Sequence, residues 1–535
     1  MSKALVAFDT DKIKSYIFAT SALKEIVGAS ALIDSFNRDE IFSIIKEQDP
    51  TAEKVYADAG AGLFKVNASR ADNIVIDVEK SFRKTMPSGS ISGAWVPEED
   101  DFKLQYELLS LKLRQKKDGK IYYYTPPGAG IFIKNCTSCG NDYACQHEED
   151  GTIERDVAGE DYLCIDCWKK RKKDREIKRQ ISMLKKSHER SKDSDNYFLW
   201  SRLADSLKEK NPEIYNKDGF FARPPETFSD LAEMSEPKNY MALVYADGDG
   251  FGNEISRLST IEEIRKFSDV VDSSIFEAML ECIDKHLQPV GGYFPFNILF
   301  HGGDDLVMVT KADKGIDVAK DFCEIFSQNA QKAGFNLTMS ASVTITHGKY
   351  PFINLLSLGE NSLAFAKNRG AQRRKKNPGL FDHTGFINFQ VIHSSSGRSF
   401  QEDYQTVYTG ESSQDNGSAK KMLRTLRPYT PQEIEKLLAL IDDFQEFPRN
   451  KLYVLQESIF MGYNNSVLQM MSVISRLSEN NRHLVFNALE KFAPHKGQCI
   501  PPWIKIGKGE NVFASPFMDI VELSRFRERR DDIGD

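Results

Sequence analysis

Apolar positions along the chain gather into short runs that stop abruptly at glycine and aspartate. The clearest are Tyr240–Gly252, YMALVYADGDGFG, and Asn297–Thr310, NILFHGGDDLVMVT. Each reads as a buried strand with carboxylates at its end. Gly302 and Gly303 separate a pair of short apolar runs and fit a tight hairpin turn, because glycine tolerates the positive φ that such turns demand. Asp304 and Asp305 then stand at the hairpin tip. Asp247 and Asp249 alternate around Gly248, so the period of a strand puts both on one face. Between the two runs lies a helix-length segment, Thr260–Leu287. After them, Lys314–Lys332 has helical spacing, Thr338–Thr346 (TMSASVTIT) alternates like a strand, and Ile353–Gln372 is a further helix ending in AKNRGAQ.

The first hundred residues repeat this outline. Leu5–Phe8 is a short strand, Gly28–Lys46 is helix-spaced, and KVYADAGAGLFKV forms a second hairpin with Asp58, Gly60 and Gly62 in its turn. A helix over Ala71–Met86 and a strand over Ser90–Val96 complete it. The repeat is one of topology rather than sequence, and its hairpin has no aspartate pair. Asp9 and Asp11 mimic a metal-binding DxD, but AGAG supplies no partner carboxylates, so no metal is expected there.

These patterns carry chemistry. If the Asp247 strand neighbours the GGDD hairpin, three or four carboxylates crowd together and repel, a cost that magnesium or manganese, hard and oxygen-preferring, relieves. Gly248, Gly250 and Gly252 would let phosphates approach the backbone. Taken singly, DGDG reads equally as a surface turn and GGDD as a hairpin of solvated acids. Their order, with a helix between, favours a two-metal site.

Glu98–Arg114 is a charged helix, broken by Tyr122–Pro127. Cys136-x-x-Cys139 and Cys164-x-x-Cys167 follow, in the spacing of a closed tetrahedral zinc site. A redox dithiol is the alternative. Cys145 and His147 are spare ligand candidates, with Cys145 read as a bystander. The basic run Lys169–Gln180 is either a solvated face or an RNA contact. Phe198–Lys210 is helical, and Pro212–Pro237 is a proline-rich linker. Further on, Arg373–Gly379 is a basic loop, and Val391–Arg398 and Gly410–Ser418 are loop-like. From Thr430 the pattern is helical: Thr430 is the N-cap, Pro431 the first helical residue and Glu433 completes a capping box.

At 535 residues the chain holds three or four domains. Its 40% hydrophobic content and the lack of any long apolar run predict no transmembrane helix and no signal peptide, with the cytoplasm as default. A net charge of −7 argues against nucleic-acid binding over the whole surface, leaving a local groove or partner subunits.

Tyr240–Gln372, and HGGDDL above all, resembles the palm domain of the large subunit of type III CRISPR effector complexes and, more distantly, GGDEF-type nucleotidyl cyclases. DTDKIKSYIFATSALKEIVGASALIDSFN resembles that subunit's first palm. The resemblance implies an α+β fold: two ferredoxin-like palms separated by a zinc-binding helical insertion, with a C-terminal α-helical bundle. The expected division is 1–115, 116–236, 237–400 and 401–535. It implies a nucleotidyltransferase that converts ATP to cyclic oligoadenylates, with Asp247, Asp304 and Asp305 holding two magnesium or manganese ions. Lys367, with Arg369 assisting, would hold the triphosphate; the bland reading of Lys367 is a solvated lysine at a helix end. Asp249 is a weaker ligand candidate. Donor ATP would sit on the second palm and acceptor against the first, where Gly28 and Ser30 at a helix start offer free amides to phosphate. For Ser30 a plain helix cap is the favoured reading. Other CRISPR subunits and guide or target RNA are the implied partners. No His-Asp dipeptide occurs, so DNA cleavage by an HD nuclease is not expected. A nucleotide-binding scaffold without turnover, and a synthase working outside any guide-RNA complex, are the alternatives.

Overall fold

The computed structural model describes residues 2–58, 60–120, 134–145, 162–183, 199–215, 222–377, 379–381, 383–393, 398–412, 420–494, 497–506 and 511–527. Tyr122–Pro127, His147 and most of Gly410–Ser418 fall outside them. The fold is mixed α+β, and the chain divides into two compact units. One comprises 1–230, 250–308 and 351–353, the other 231–249, 309–350 and 354–535.

In the first unit, β1 (Lys3–Asp11), β2 (Glu53–Asp58), β3 (Ala61–Asn67) and β4 (Ser90–Pro97) form an antiparallel sheet in the order β2-β3-β1-β4. With the helix Ala71–Thr85 before β4 this is the ferredoxin-like arrangement. β1 is longer than the expected Leu5–Phe8, because Asp9 and Asp11 stay in register with Ala61 and Ser90. The hairpin turn lies before Ala61, so Gly62 is a strand residue. The segment expected as one helix over Gly28–Lys46 is two, Leu23–Ser35 and Ile41–Gln48, joined by a turn of π-helix at Phe36–Glu40.

Asp11 is buried and accepts hydrogen bonds from Ser90, from Ser92 and, at 2.7 Å, from Lys120, while Asp9 pairs with Lys117. Lysines thus do here what a metal would do at a working DxD.

Gly28 and Ser30 lie inside Leu23–Ser35, not at a helix start, so their amides are spent in the helix. A Cβ on Gly28 would stand 1.8 Å from the Lys170 carbonyl oxygen. The glycine is there for close packing against the helix Ile165–Met183 rather than for phosphate. That helix carries the basic run, and its inner cations are structural. Lys170, 1% exposed, donates to the Tyr16 carbonyl at 2.8 Å, and Arg171 donates to Glu25 at 2.6 Å. Burying these cations with partners offsets their desolvation.

A second sheet has the order β6-β7-β5-β8-β9, with β5 Tyr240–Gly248, β6 Phe296–Gly302, β7 Asp305–Lys311, β8 Met339–His347 and β9 Ile387–Val391. It repeats the first sheet's order and adds β9, parallel to β8. β5 is central and buried from Met241 to Ala246, so its sequence is continuously apolar rather than alternating. The helix Ile261–His286 opens with a capping box, Thr260 and Glu263. The helix Phe352–Lys376 runs four residues past the expected end and absorbs most of the basic loop. Arg373 is held by Glu433 at 2.7 Å, and Arg374 by Asp249 at 2.8 Å.

The C-terminal region has its expected helices, beginning with Pro431–Asp443 behind the Thr430–Glu433 capping box. It also holds a five-stranded sheet, β10-β11-β14-β13-β12, from β10 Thr409–Ser412, β11 Lys420–Leu423, β12 Cys499–Ile500, β13 Trp503–Lys505 and β14 Val512–Ala514. Strands of two to four residues are too short to show a period, which is why the sequence reads as a purely helical bundle.

Candidate metal and nucleotide site

β5 delivers Asp247 at its end, and the β6–β7 hairpin delivers the other two carboxylates. The turn residues are Gly303 and Asp304 rather than Gly302 and Gly303, with Gly302 still in strand. Gly303 has φ +59, the backbone conformation that a primed turn requires at its first position. One oxygen from each of Asp247, Asp304 and Asp305 lies within 4.8 Å of the others. Three hard oxygen donors this close fit a divalent cation of the magnesium type.

Asp249 has a different fate. The strand ends at Gly248, and the chain turns through Gly250 at φ +75 into the short helix Phe251–Ile255, so strand alternation no longer governs Asp249. Its carboxylate accepts from Thr338 at 3.0 Å, from Ser340 at 2.9 Å and from Arg374 at 2.8 Å. These donors anchor Asp249 to the start of β8, and it does not join the carboxylate cluster. A Cβ on Gly252 would meet nothing within 4 Å, and one on Gly250 only the Asn253 amide nitrogen at 4.0 Å. Both glycines therefore border open space.

Lys367 contacts Asp247 directly and donates to the Gly248 carbonyl at 2.6 Å, so its ammonium lies in the cluster. Arg369 faces elsewhere, with its guanidinium 2.8 Å from the Tyr404 hydroxyl. Lys14, which sequence reasoning missed, lies 3.1 Å from Asp305. Its position in DTDKIK, just past a strand end, was the available signal.

Beside the hairpin is a second missed group. Arg38 reaches Asp34 at 2.6 Å and Asp58 at 3.4 Å, and Arg202 reaches Asp272 at 3.1 Å. His301, the residue before the GGDD motif, joins this network electrostatically with Asp272, Asp34, Arg38 and Arg202. Its Nε2 is shut off from solvent with no hydrogen-bond partner among the described residues. Burial holds the imidazole below its usual pKa, against the opposite pull of Asp272. The unfolded chain therefore takes up a proton that the folded chain refuses. His301 withdraws stability as pH falls below about 6.5, and none above it. Urea unfolding at pH 7.5 and 5.5 should show the native chain losing more stability on acidification than His301→Gln does. Titrating groups away from this network cancel in that comparison, and parallel pH profiles would refute the assignment.

The four cysteines Cys136, Cys139, Cys164 and Cys167 form the other cluster, with all sulfurs within 4.8 Å. Cys136, Cys164 and Cys167 are buried. Cys139 and Cys164 are 3.8 Å apart at sulfur. Four convergent thiols with no disulfide geometry fit a tetrahedral thiophilic ion, with no open position for a substrate. Cys145 is exposed and outside the cluster. Among the described residues no helix is long and apolar enough to cross a membrane.

A ferredoxin-like sheet with carboxylates at a central strand end and at the adjoining hairpin has the layout of a palm domain, and those carboxylates fit a divalent cation. Residues 240–377 match the family model described as Cas10/Cmr2, second palm domain. The HGGDDL resemblance is met by this match. Among solved structures, the chain is similar to a Csm1–Csm4 cassette in complex with cA4, at 14% identity and a TM-score of 0.54, covering 89% of this chain and 65% of that one. It is similar to such a cassette in complex with pppApA at 13% identity and 0.54, covering 99% and 70%. Csm1 from T. onnurineus matches at 13% and 0.54, covering 98% and 70%. The chain thus spans about two thirds of the length of these Csm1 chains, and at such identities the likeness is one of fold. No curated protein matches the sequence.

Proposed function

We propose that this chain is a nucleotidyltransferase that joins ATP into oligoadenylates and closes them into rings, as the large subunit of a type III CRISPR effector. The observation that carries the reading is the convergence of Asp247, Asp304 and Asp305 with Lys367 at the end of a palm sheet. An abandoned site has no reason to keep three mutually repelling carboxylates together.

In this reading the 3′-oxygen of one nucleotide forms a bond to the α-phosphorus of the next, and the bond to pyrophosphate breaks. Asp247, Asp304 and Asp305 would hold two magnesium or manganese ions, which when bound make the attacking hydroxyl more acidic and offset the charge of the triphosphate. Lys367 adds a fixed positive charge beside the same oxygens. Gly250 and Gly252 leave the backbone open to phosphate, and Asp249, tied to Arg374, holds the strand end in place. The base adenine, ring closure, partner subunits and guide or target RNA follow from the family resemblance and from the nucleotides named in the Csm1 structures. The division into four domains at 115, 236 and 400, and zinc in the four-cysteine cluster, belong to the same proposal.

The test is incubation with labelled ATP, and separately GTP, in magnesium or manganese, with products resolved by mass. Pyrophosphate together with 3′-to-5′ linked adenylates is the expected result. No product from ATP in either metal, alone or with partner subunits and target RNA, overturns the reading.

A further inference from the structure

We infer that Lys14 is an exchangeable counter-ion of the carboxylate cluster: its ammonium holds Asp305 while no divalent cation is bound, and passes to a nucleotide phosphate when a cation takes the carboxylate. The inference deepens the nucleotidyltransferase reading and rests on it.

Lys14 Nζ is 3.1 Å from Asp305 Oδ2, and the side chains are 36% and 17% exposed, so a recessed carboxylate meets a lysine that keeps access to solvent. An ion pair this open is weak enough to be exchanged.

The backbone that delivers Lys14 is itself unusual. β1 closes at Asp11, and Lys12 then adopts φ 49, ψ 44, a left-handed conformation that non-glycine residues enter at a cost. This breaks the strand into the short helix Ile13–Ile17, whose Tyr16 and Ile17 are buried, and fixes Lys14 as its second residue. Packing of the helix thus selects the strained turn that aims Lys14.

Charge points the same way. Two carboxylates of the cluster each meet an ammonium group, Asp305 that of Lys14 and Asp247 that of Lys367. Those pairs offset part of the repulsion within the cluster, and the same two lysines then compete with an incoming cation for the same oxygens. The lysines are not equivalent. Lys14 is the more exposed of the two, at 36% against 27% for Lys367. Lys14 is therefore the one placed to leave, and the anion that arrives with the cation is a triphosphate.

The experiment uses the full chain and its Lys14→Gln variant. Manganese is titrated without nucleotide and followed by electron paramagnetic resonance; affinity for a non-hydrolysable ATP analogue is then measured in saturating manganese. Removing the competing ammonium should tighten manganese binding about two- to fivefold. Losing a charge-assisted phosphate contact should weaken analogue binding about tenfold. Lys14→Arg should return both towards native values. Manganese affinity in Lys14→Gln equal to or weaker than native overturns the exchange, as does unchanged analogue affinity or an arginine variant that restores neither. A native chain that binds no manganese fails differently, since that sinks the metal-site reading and this inference with it.

Discussion

With Asp304 and Asp305 both replaced by alanine, the chain should still fold and should join no nucleotides. Both residues are half-buried at a hairpin tip whose turn is set by Gly303, so the backbone does not depend on them. Their removal relieves carboxylate repulsion instead of opening a cavity. What is lost is two of the three oxygen donors of the cation site. Metal stabilisation of transition-state charge is worth several kcal/mol, on the order of a 10³-fold loss of rate or more. Mass-resolved products from labelled ATP, with circular dichroism as the folding control, measure it. Retained synthesis in a folded double variant would sink the site assignment.

The second large effect belongs to the four cysteines. A Cys164→Ser, Cys167→Ser variant should lose close to one zinc ion per chain, measured by elemental analysis, and become several kcal/mol less stable, since structural zinc binding is folding free energy. The reason is local. Cys164 and Cys167 bracket the start of the helix Ile165–Met183, which brings Lys170 and Arg171 against the first sheet's helix Leu23–Ser35. Without the ion that helix start loses its anchor and two buried cations lose their placement. Native zinc content in the double variant, or zinc loss without any change in thermal unfolding, would refute the structural role.

Both predictions rest on features that local sequence makes legible. Strand-length apolar runs ending in aspartate, and two CxxC pairs, depend on neighbours within a few residues. The errors came where a side chain answers to something distant. Asp249 resembles Asp247 in sequence, yet Arg374 and the start of β8 claim it. Gly28 resembles a phosphate-binding glycine, but its reason is the backbone of Lys170, far along the chain. The RRKK segment reads as a loop because four consecutive cations suggest solvent; Glu433 and Asp249 neutralise two of them and let the helix continue. Lys14 could not be matched to Asp305 without the fold.

The edge strand β9 does more than widen the palm sheet. Ile387 exchanges both backbone hydrogen bonds with Tyr429, at 2.7 and 2.9 Å, and the buried guanidinium of Arg427 donates to the Phe389 carbonyl at 2.8 Å. Asp519 in turn accepts from the Tyr429 hydroxyl at 2.5 Å and from the Thr425 hydroxyl at 2.7 Å. The match to the palm family stops at 377, but the palm's outer strand is finished by residues beyond 420 and locked by one near the chain's far end. A piece cut at the sequence boundary would carry an open sheet edge, the kind that invites aggregation. In this protein the stretch that a family shares and the stretch that can stand in water by itself are different lengths of chain.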